Sequence, residues 1–335
     1  MSTSRIVPDF SPPVAISGPL PQRRHLSHPL NRETWAGLGL LAAYAVVGVS
    51  AVFVFGSHLT TLPRDSAWIS ILSNAPGPSW SHPFGVLTGL GTDLFTAIWQ
   101  ATPWDLAIVF GILAIDSGTA IFLGAIAGMW AGGWADRGVT FFSDATGAIP
   151  PVLLVTIALI GLSELSLVNL GVFVVAFGLL LWPPAARGVR ERARIVARAP
   201  YVDSSRASGA GDSRVLVHHV VPASLGPVFA QLPTDIAAIF TVLSVFTWFH
   251  NCVQPPVLPA GIPLPHLPPG VSPLPSVNFP EWGNLLGIGV CWGFTTQIGP
   301  IHWWMWTFPL LAIVGLGIAL ALFCDGMDKW FRFRA

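Results

Sequence analysis

Long apolar stretches separated by short polar and basic ones run along this chain from residue 35 almost to its end. A helix needs about 20 mostly apolar residues to cross a hydrocarbon core about 30 Å thick, because each residue rises 1.5 Å. Six stretches meet or approach that length: Trp35 to Phe55, Trp104 to Trp130, Val139 to Leu162, Leu167 to Ala186, Ala223 to Phe249 and His302 to Phe323. The third is least apolar at its start, where Asp144 stands, and the fifth contains Asp235. The pattern predicts an all-α polytopic membrane protein with six transmembrane helices. Residues 1–34 are polar and proline-rich and lack the charged-then-apolar order of a signal peptide, so they are expected to form a largely disordered tail ahead of a helical domain at 35–335.

The charges orient these spans. With the tail in the cytoplasm, the loops near 131–138 and 187–222 and the C-terminus also lie inside. Fifteen of the sixteen Lys and Arg then fall on the inner side, Arg64 alone outside. That bias is what the positive-inside rule requires, and an odd number of spans would destroy it. The expected location is the cell membrane, multi-pass, with both termini cytoplasmic. Two outer loops are long, about 56–103 and 250–301, and the second carries a run of prolines at 253–277. Proline fixes φ and lacks a backbone donor, so this stretch is expected as an extended external strap.

Composition agrees with that picture: 53% of the 335 residues are hydrophobic and 10% charged, with mean hydropathy +0.66, against about 25% charged in soluble domains. The net charge is zero, which offers nothing to nucleic acid. Cys252, Cys291 and Cys324 have neither the number nor the spacing of a zinc or haem site, and whether the first two join in a disulfide stays open. His82, His218, His219, His250 and His302 scatter over both sides of the membrane, so no metal site is expected. Walker lysine, Ser/His/Asp and HExxH patterns are absent, and no catalytic residue is assigned.

The inner loop 187–222 has its own punctuation. Pro200 suits a first helical turn, Tyr201 to Ala207 continues it, Gly209 ends it, and Asp212 is placed to cap a second short helix from Ser213, with Pro222 closing the segment. The spacing of Asp203-Ser204-Ser205, Gly209 and Val221-Pro222 resembles the signature of binding-protein-dependent ABC importer permeases: Glu-Ala-Ala, three residues, Gly, nine residues, Ile-x-Leu-Pro. Trp182-Pro183, Arg187, Arg190 and Tyr201-Val202 resemble the flank of that loop in the C-type permease subunit of the dipeptide/oligopeptide subfamily. So do HPFG at 82–85 with Gly91 and Asp93, Gly132-Gly133-Trp134 with Asp136-Arg137, Asp144 and Pro150, Pro222 to Gln231, PEWGNLL at 280–286, and Asp325-Gly326 with Asp328. The likeness covers nearly everything after residue 30. Leu243 stands where the family has an acidic residue, and 253–277 resembles an insertion.

The resemblance implies the type I ABC importer permease fold with a cytoplasmic coupling helix. It implies a permease subunit working by alternating access beside a homologous permease subunit, two ATP-binding subunits and an extracellular substrate-binding protein. The chain itself is then no enzyme and binds no cofactor, ATP and Mg belonging to the partner subunits. Tyr201, Asp203, Ser204, Ser205, Arg206, Gly209 and Pro222 are the expected coupling residues. Peptides are the implied cargo, with oligosaccharides or nickel chelates as alternatives. Two other classes stay in play: a polytopic membrane enzyme using Asp116, Asp144 and Asp235, and an ATP-independent channel or transporter.

Asp116 lies mid-span, where a carboxylate costs roughly 3 kcal/mol or more. It is a candidate pathway residue or a hydrogen-bonding partner in the surroundings of Ser117 and Thr119. For Asp235 and Asp144 the structural readings are preferred. Gly124, Gly128 and Gly132 recur every four residues and are expected on one helix-packing face. Trp292, Trp303, Trp304 and Trp306 are expected at the membrane interface.

Overall fold

The computed structural model describes residues 32–58, 76–87, 92–151, 153–155, 157–158, 170–252, 281–293 and 302–334. Its helices are α1 Arg32–Phe55, α2 Leu94–Met129, α3 Trp134–Gly147, α4 Leu170–Val196, α5 Pro200–Ala207, α6 Asp212–Val215, α7 Gly226–Cys252, α8 Trp282–Gly293 and α9 Trp304–Arg334. A small antiparallel ribbon pairs β1 Val86–Leu87 with β2 Thr92–Asp93, Val86 opposite Asp93. Five helices, α1, α2, α4, α7 and α9, are long and apolar enough to cross a membrane. The third expected span lies only partly within the described residues: α3 forms its start, and further helical residues fall at 151, 153–155 and 157–158. The proline strap at 253–277 and the tail at 1–31 lie outside the described residues.

Several boundaries differ from the hydropathy pattern for local reasons. Helix α2 starts at Leu94, ten residues before Trp104, because Asp93 caps it: Oδ2 accepts the backbone N–H of Thr96 at 2.9 Å and its hydroxyl at 2.8 Å. Its first turns carry Thr96, Gln100, Thr102 and Pro103, so the helix is present where the apolar signal is weak. Helix α4 runs past Ala186 to Val196 because its arginines alternate with Val189, Ala193 and Val196, a buried stripe at helical spacing. The outer loop expected over 250–301 contains α8, twelve residues packed against α7, α9 and α2.

The outer surface of the bundle is apolar, with Phe53, Val46, Phe122, Ile157 and Leu311 all exposed, the reverse of a soluble domain and suited to lipid. The core holds Ile108, Ile112, Phe173, Phe177, Ile239, Leu243, Trp282 and Leu316. The most extensive packing is between α2 and α4. Gly124 and Gly128 permit it: a β-carbon at Gly124 would lie 2.7 Å from the carbonyl of Ala186, and one at Gly128 would lie 2.6 Å from Cβ of Ala193. Gly132 departs from that face. It takes φ +88° with open space around it, and its N–H donates to Asp136 Oδ2 at 2.6 Å. It is a turn residue joining α2 to α3.

The two ends of the bundle differ in character. At one end Lys329 donates to Glu33 at 2.9 Å, tying the end of α9 to the start of α1, and the Val221–Ala223 turn that precedes α7 touches α9. The arginine-rich tail of α4 and the helices α5 and α6 lie here too. At the other end the ribbon packs under Trp304, whose Nε1 donates to the carbonyl of Val86 at 3.3 Å and whose ring lies against Gly77 and Gly85. Trp304 therefore seals this end against the 76–87 segment, whereas Trp303 is half exposed as an interface residue would be.

Candidate coupling surface

Pro200 opens α5 at its first turn, with Ala199 extended before it. The helix closes in a Schellman motif: the N–H of Gly209 bonds the carbonyl of Arg206 at 2.9 Å, and the N–H of Ala210 bonds that of Ser205 at 3.1 Å. Gly209 sits at φ +91°, a left-handed conformation that glycine adopts without the β-carbon penalty. Helix α6 then begins at Asp212 itself. Its N-cap is Gly211, without a side-chain cap, so Asp212 contributes first-turn negative charge instead of the expected capping bond. The chain continues through a π-helical turn at Leu216–Val220 into Val221–Ala223, where Pro222 is exposed.

Three valines hold this hairpin in place. Val202, Val215 and Val220 are fully buried and pack with Val189, Ala193, Val196 and Ala197 of the α4 end, and with Ala125 of α2. Burial of each stabilises the contact by about 1.5 kcal/mol or more. Arg206 adds polar ties, donating to the carbonyl of Ala197 at 3.3 Å and standing 3.6 Å from both Asp203 and Asp212. Arg192 reaches the carbonyl of Ala223 at 3.3 Å. The hairpin is thus fastened to α4, the helix before it, with Val228 of α7 in the same buried cluster.

What the hairpin leaves outward is the set singled out from the sequence. Tyr201 is half exposed and rests its ring 6.0 Å from His219. Asp203, Ser204 and Gly209 are exposed, with Ser205 and Arg206 half-buried at the edge. Ser204 hydroxyl bonds the carbonyl of Pro200 at 3.0 Å, within its own helix. Tyr201, Asp203, Ser204 and Gly209 thus share the exposed surface of α5 and its cap, and Pro222 is exposed after the π-helical turn. The buried valines, which make that surface rigid, were not read from the sequence. Their signal was the helical spacing of Val189, Ala193 and Val196 beyond the apparent end of the span.

Beside the hairpin, Arg190 of α4 bonds both Asp136 and Glu191. Its guanidinium holds the Asp136 carboxyl below the usual carboxylate range. One helical turn earlier on α4, Arg187 bonds Asp144 of α3 at 2.9 Å.

Asp116 is fully buried and faces Asp235 across the α2–α7 contact. Among the described residues neither Asp116 oxygen bonds Ser117 or Thr119, so the expected bond is not made there, and its near neighbour is the Asp235 carboxyl. Asp235 accepts from Gln231 at 3.0 Å. Asp144 lies elsewhere with Arg187, so the three acids of the membrane-enzyme reading do not converge on one site. No group of three or more His, Cys, Asp or Glu side chains suited to a metal occurs among the described residues.

A second carboxyl pair had no counterpart in the sequence reading. Asp105 of α2 accepts the N–H of Trp282 at 2.9 Å, and Glu281 accepts that of Gly283 at 3.1 Å. Both carboxyls cap the buried start of α8, whose positive dipole end favours negative charge. Leu243, found where the resembled family carries an acid, lies against Gly283 next to Glu281. A carboxyl therefore occupies that neighbourhood from α8 instead of α7.

Comparison with known proteins agrees with the geometry. The family described as binding-protein-dependent transport system inner membrane component matches residues 120–251, which include α4 to α6 and most of α7. The glutathione transport system permease protein of Pectobacterium atrosepticum is 30% identical over 253 residues, 75% of this chain and 72% of that protein. A Brucella ovis protein provisionally named a peptide permease is 28% identical over 307 residues, 91% of this chain and 88% of its own. A Brucella abortus protein provisionally named as a peptide transport system permease is 27% identical over 329 residues, covering 97% and 94%.

Proposed function

Because this chain belongs to the family of binding-protein-dependent transport system inner membrane components, we propose that it is the peptide-conducting permease subunit of an ATP-driven importer whose ATPase sits on other polypeptides. It pairs with a homologous permease subunit to enclose the path. Two ATP-binding subunits, which carry ATP and Mg, grip the α5–α6 hairpin from the cytoplasm, and an extracellular binding protein delivers peptide. Relatives named for peptides and glutathione favour small peptides over oligosaccharides or nickel chelates.

The observation that carries this reading is the hairpin. It offers an exposed polar surface fastened by three buried valines to α4, the construction a mechanical contact needs. Force on Tyr201 to Gly209 enters α4, and through the close contacts of Gly124 and Gly128 it enters α2. A soft loop would dissipate it.

Affinity capture of the intact complex tests the proposal. Two nucleotide-binding subunits and a second permease should copurify with the wild-type chain, and Asp203→Arg should lower ATPase retention and peptide uptake together. Full retention and wild-type uptake in that variant would remove the hairpin from its coupling role.

A further inference from the structure

The ion pair between Asp144 and Arg187 stands on a face that no other described residue covers. Their side chains are 67% and 53% exposed at a separation of 2.9 Å. Helix α3 buries Asp136, Val139 and Ser143 toward α2 and α4. Ser143 donates to the carbonyl of Pro183 at 2.9 Å, which fixes the rotation of α3. Around the helix from that buried stripe come Thr140, Asp144 and Gly147, and further round the aromatic residues Trp134, Phe141 and Phe142. One side is thus fit for lipid and the adjacent one is polar. Arg187 reaches over the polar side, and a β-carbon on Gly147 would stand only 4.0 Å from its guanidinium nitrogen.

Asp144 lies ten residues along α3 from Trp134, about 15 Å at 1.5 Å per residue. A charged pair with both partners half exposed is not stable against hydrocarbon. Its face must meet water or polar groups. The polar side also adjoins the arginine-rich end of α4, which carries the coupling hairpin.

We propose that Asp144 and Arg187 form a binding element at the cytoplasmic mouth of the transport path, receiving the ammonium and carboxylate ends of a zwitterionic peptide. The inference rests on the peptide reading above. The chemistry is an exchange: the resident ion pair opens, Asp144 takes the ammonium and Arg187 the carboxylate, so no charge is left without a partner. A solute with one terminus blocked leaves one of the two side chains unsatisfied and gains less. At this exposure each contact is weak, which suits an exit that must release its cargo.

The test uses the complete complex with its binding protein in proteoliposomes, and dialanine, N-acetyl-dialanine and dialanine amide as probes. Wild type should take up dialanine fastest. Asp144→Asn should slow dialanine about fivefold and leave the N-acetyl form no slower. Arg187→Gln should slow dialanine similarly and leave the amide no slower. In a background lacking the native cysteines, Thr140→Cys should react with an impermeant maleimide applied from the cytoplasmic side, Phe141→Cys should not, and dialanine should slow the first reaction. A surface ion pair without contact to cargo would lower all three probes alike or none, and either result overturns the proposal. An unreactive Thr140→Cys overturns it as well. If wild type takes up no peptide, the peptide reading itself fails and the zwitterion site falls with it.

Discussion

Replacing Gly128 with alanine is the most direct probe of how the membrane helices are fitted together. The new β-carbon would stand 2.6 Å from Cβ of Ala193 and 2.9 Å from the amide nitrogen of Arg194. Carbon atoms in contact settle at about 3.5–4.0 Å, so α4 has to retreat by about 1 Å. That side of α4 carries Val189 and Ala193, against which Val202 and Val215 of the hairpin pack. A gap of that size forfeits about a quarter to a half of each affected contact, and overpacking of this kind costs about 1–3 kcal/mol. Gly118→Ala on the same helix is the control, because nothing among the described residues lies within 4 Å of its β-carbon position. There the gain in helix propensity, about 0.5–1 kcal/mol, should prevail. Thermal unfolding of the purified protein in detergent should show Gly128→Ala melting roughly 3–10 °C lower and Gly118→Ala at or above wild type. Equal midpoints for the two variants would refute the close-contact account of the α2–α4 interface.

Four further outcomes are expected. Gly209→Val should uncouple ATP hydrolysis from uptake while the protein still inserts, since left-handed φ costs a β-branched residue about 1–2 kcal/mol; Gly209→Asn should keep most coupling, and equal behaviour of the two would show that φ is not the cause. Asp136, held below the usual carboxylate value by Arg190, contributes stability above its unfolded value near 4 and loses it as pH falls through its folded value; an acid unfolding titration should lose that part of its slope in Asp136→Asn. Asp116→Asn should leave stability within about 1 kcal/mol or raise it, because it relieves two facing carboxyls, whereas Asp116→Lys, if it melts like wild type, would show that the site is not enclosed. Reporter fusions at residue 335 should be active only in the cytoplasm, and activity outside would overturn the orientation.

The sequence shows most where burial and length coincide. Helices α1 and α9 begin within about three residues of their hydropathy stretches. The start of α2 was hidden because its signal is a capping bond from Asp93, and Thr96, Gln100, Thr102 and Pro103 break up the apolar residues that follow. The end of α4 was hidden by its arginines, which hydropathy counts against a helix although Arg187 and Arg194 are exposed while Val189 and Ala193 are buried. Within the hairpin, Pro200 and Gly209 announced a helix and its end, since each residue restricts φ/ψ in a way that only a few local structures accept. Pairings across helices, Asp116 with Asp235 and Asp105 with Trp282, depend on rotation and depth of separate helices, which no local pattern records.

The short helix α8 bears on how the protein is made. Its twelve residues extend about 18 Å, well under the roughly 30 Å needed to span, and Glu281 stands at its threshold. Such a segment has no reason to leave the insertion machinery sideways into lipid by itself. Its N–H groups are met by Asp105 of α2 and by Glu281, and a β-carbon on Gly289 would run into the backbone of Met305 in α9. The slot therefore exists only after α2, α7 and α9 stand side by side, and α9 is synthesised last. Biogenesis should then end with a folding-in step in which α8 drops between finished spans, and a ribosome-bound chain cut short before residue 304 should leave it open to protease.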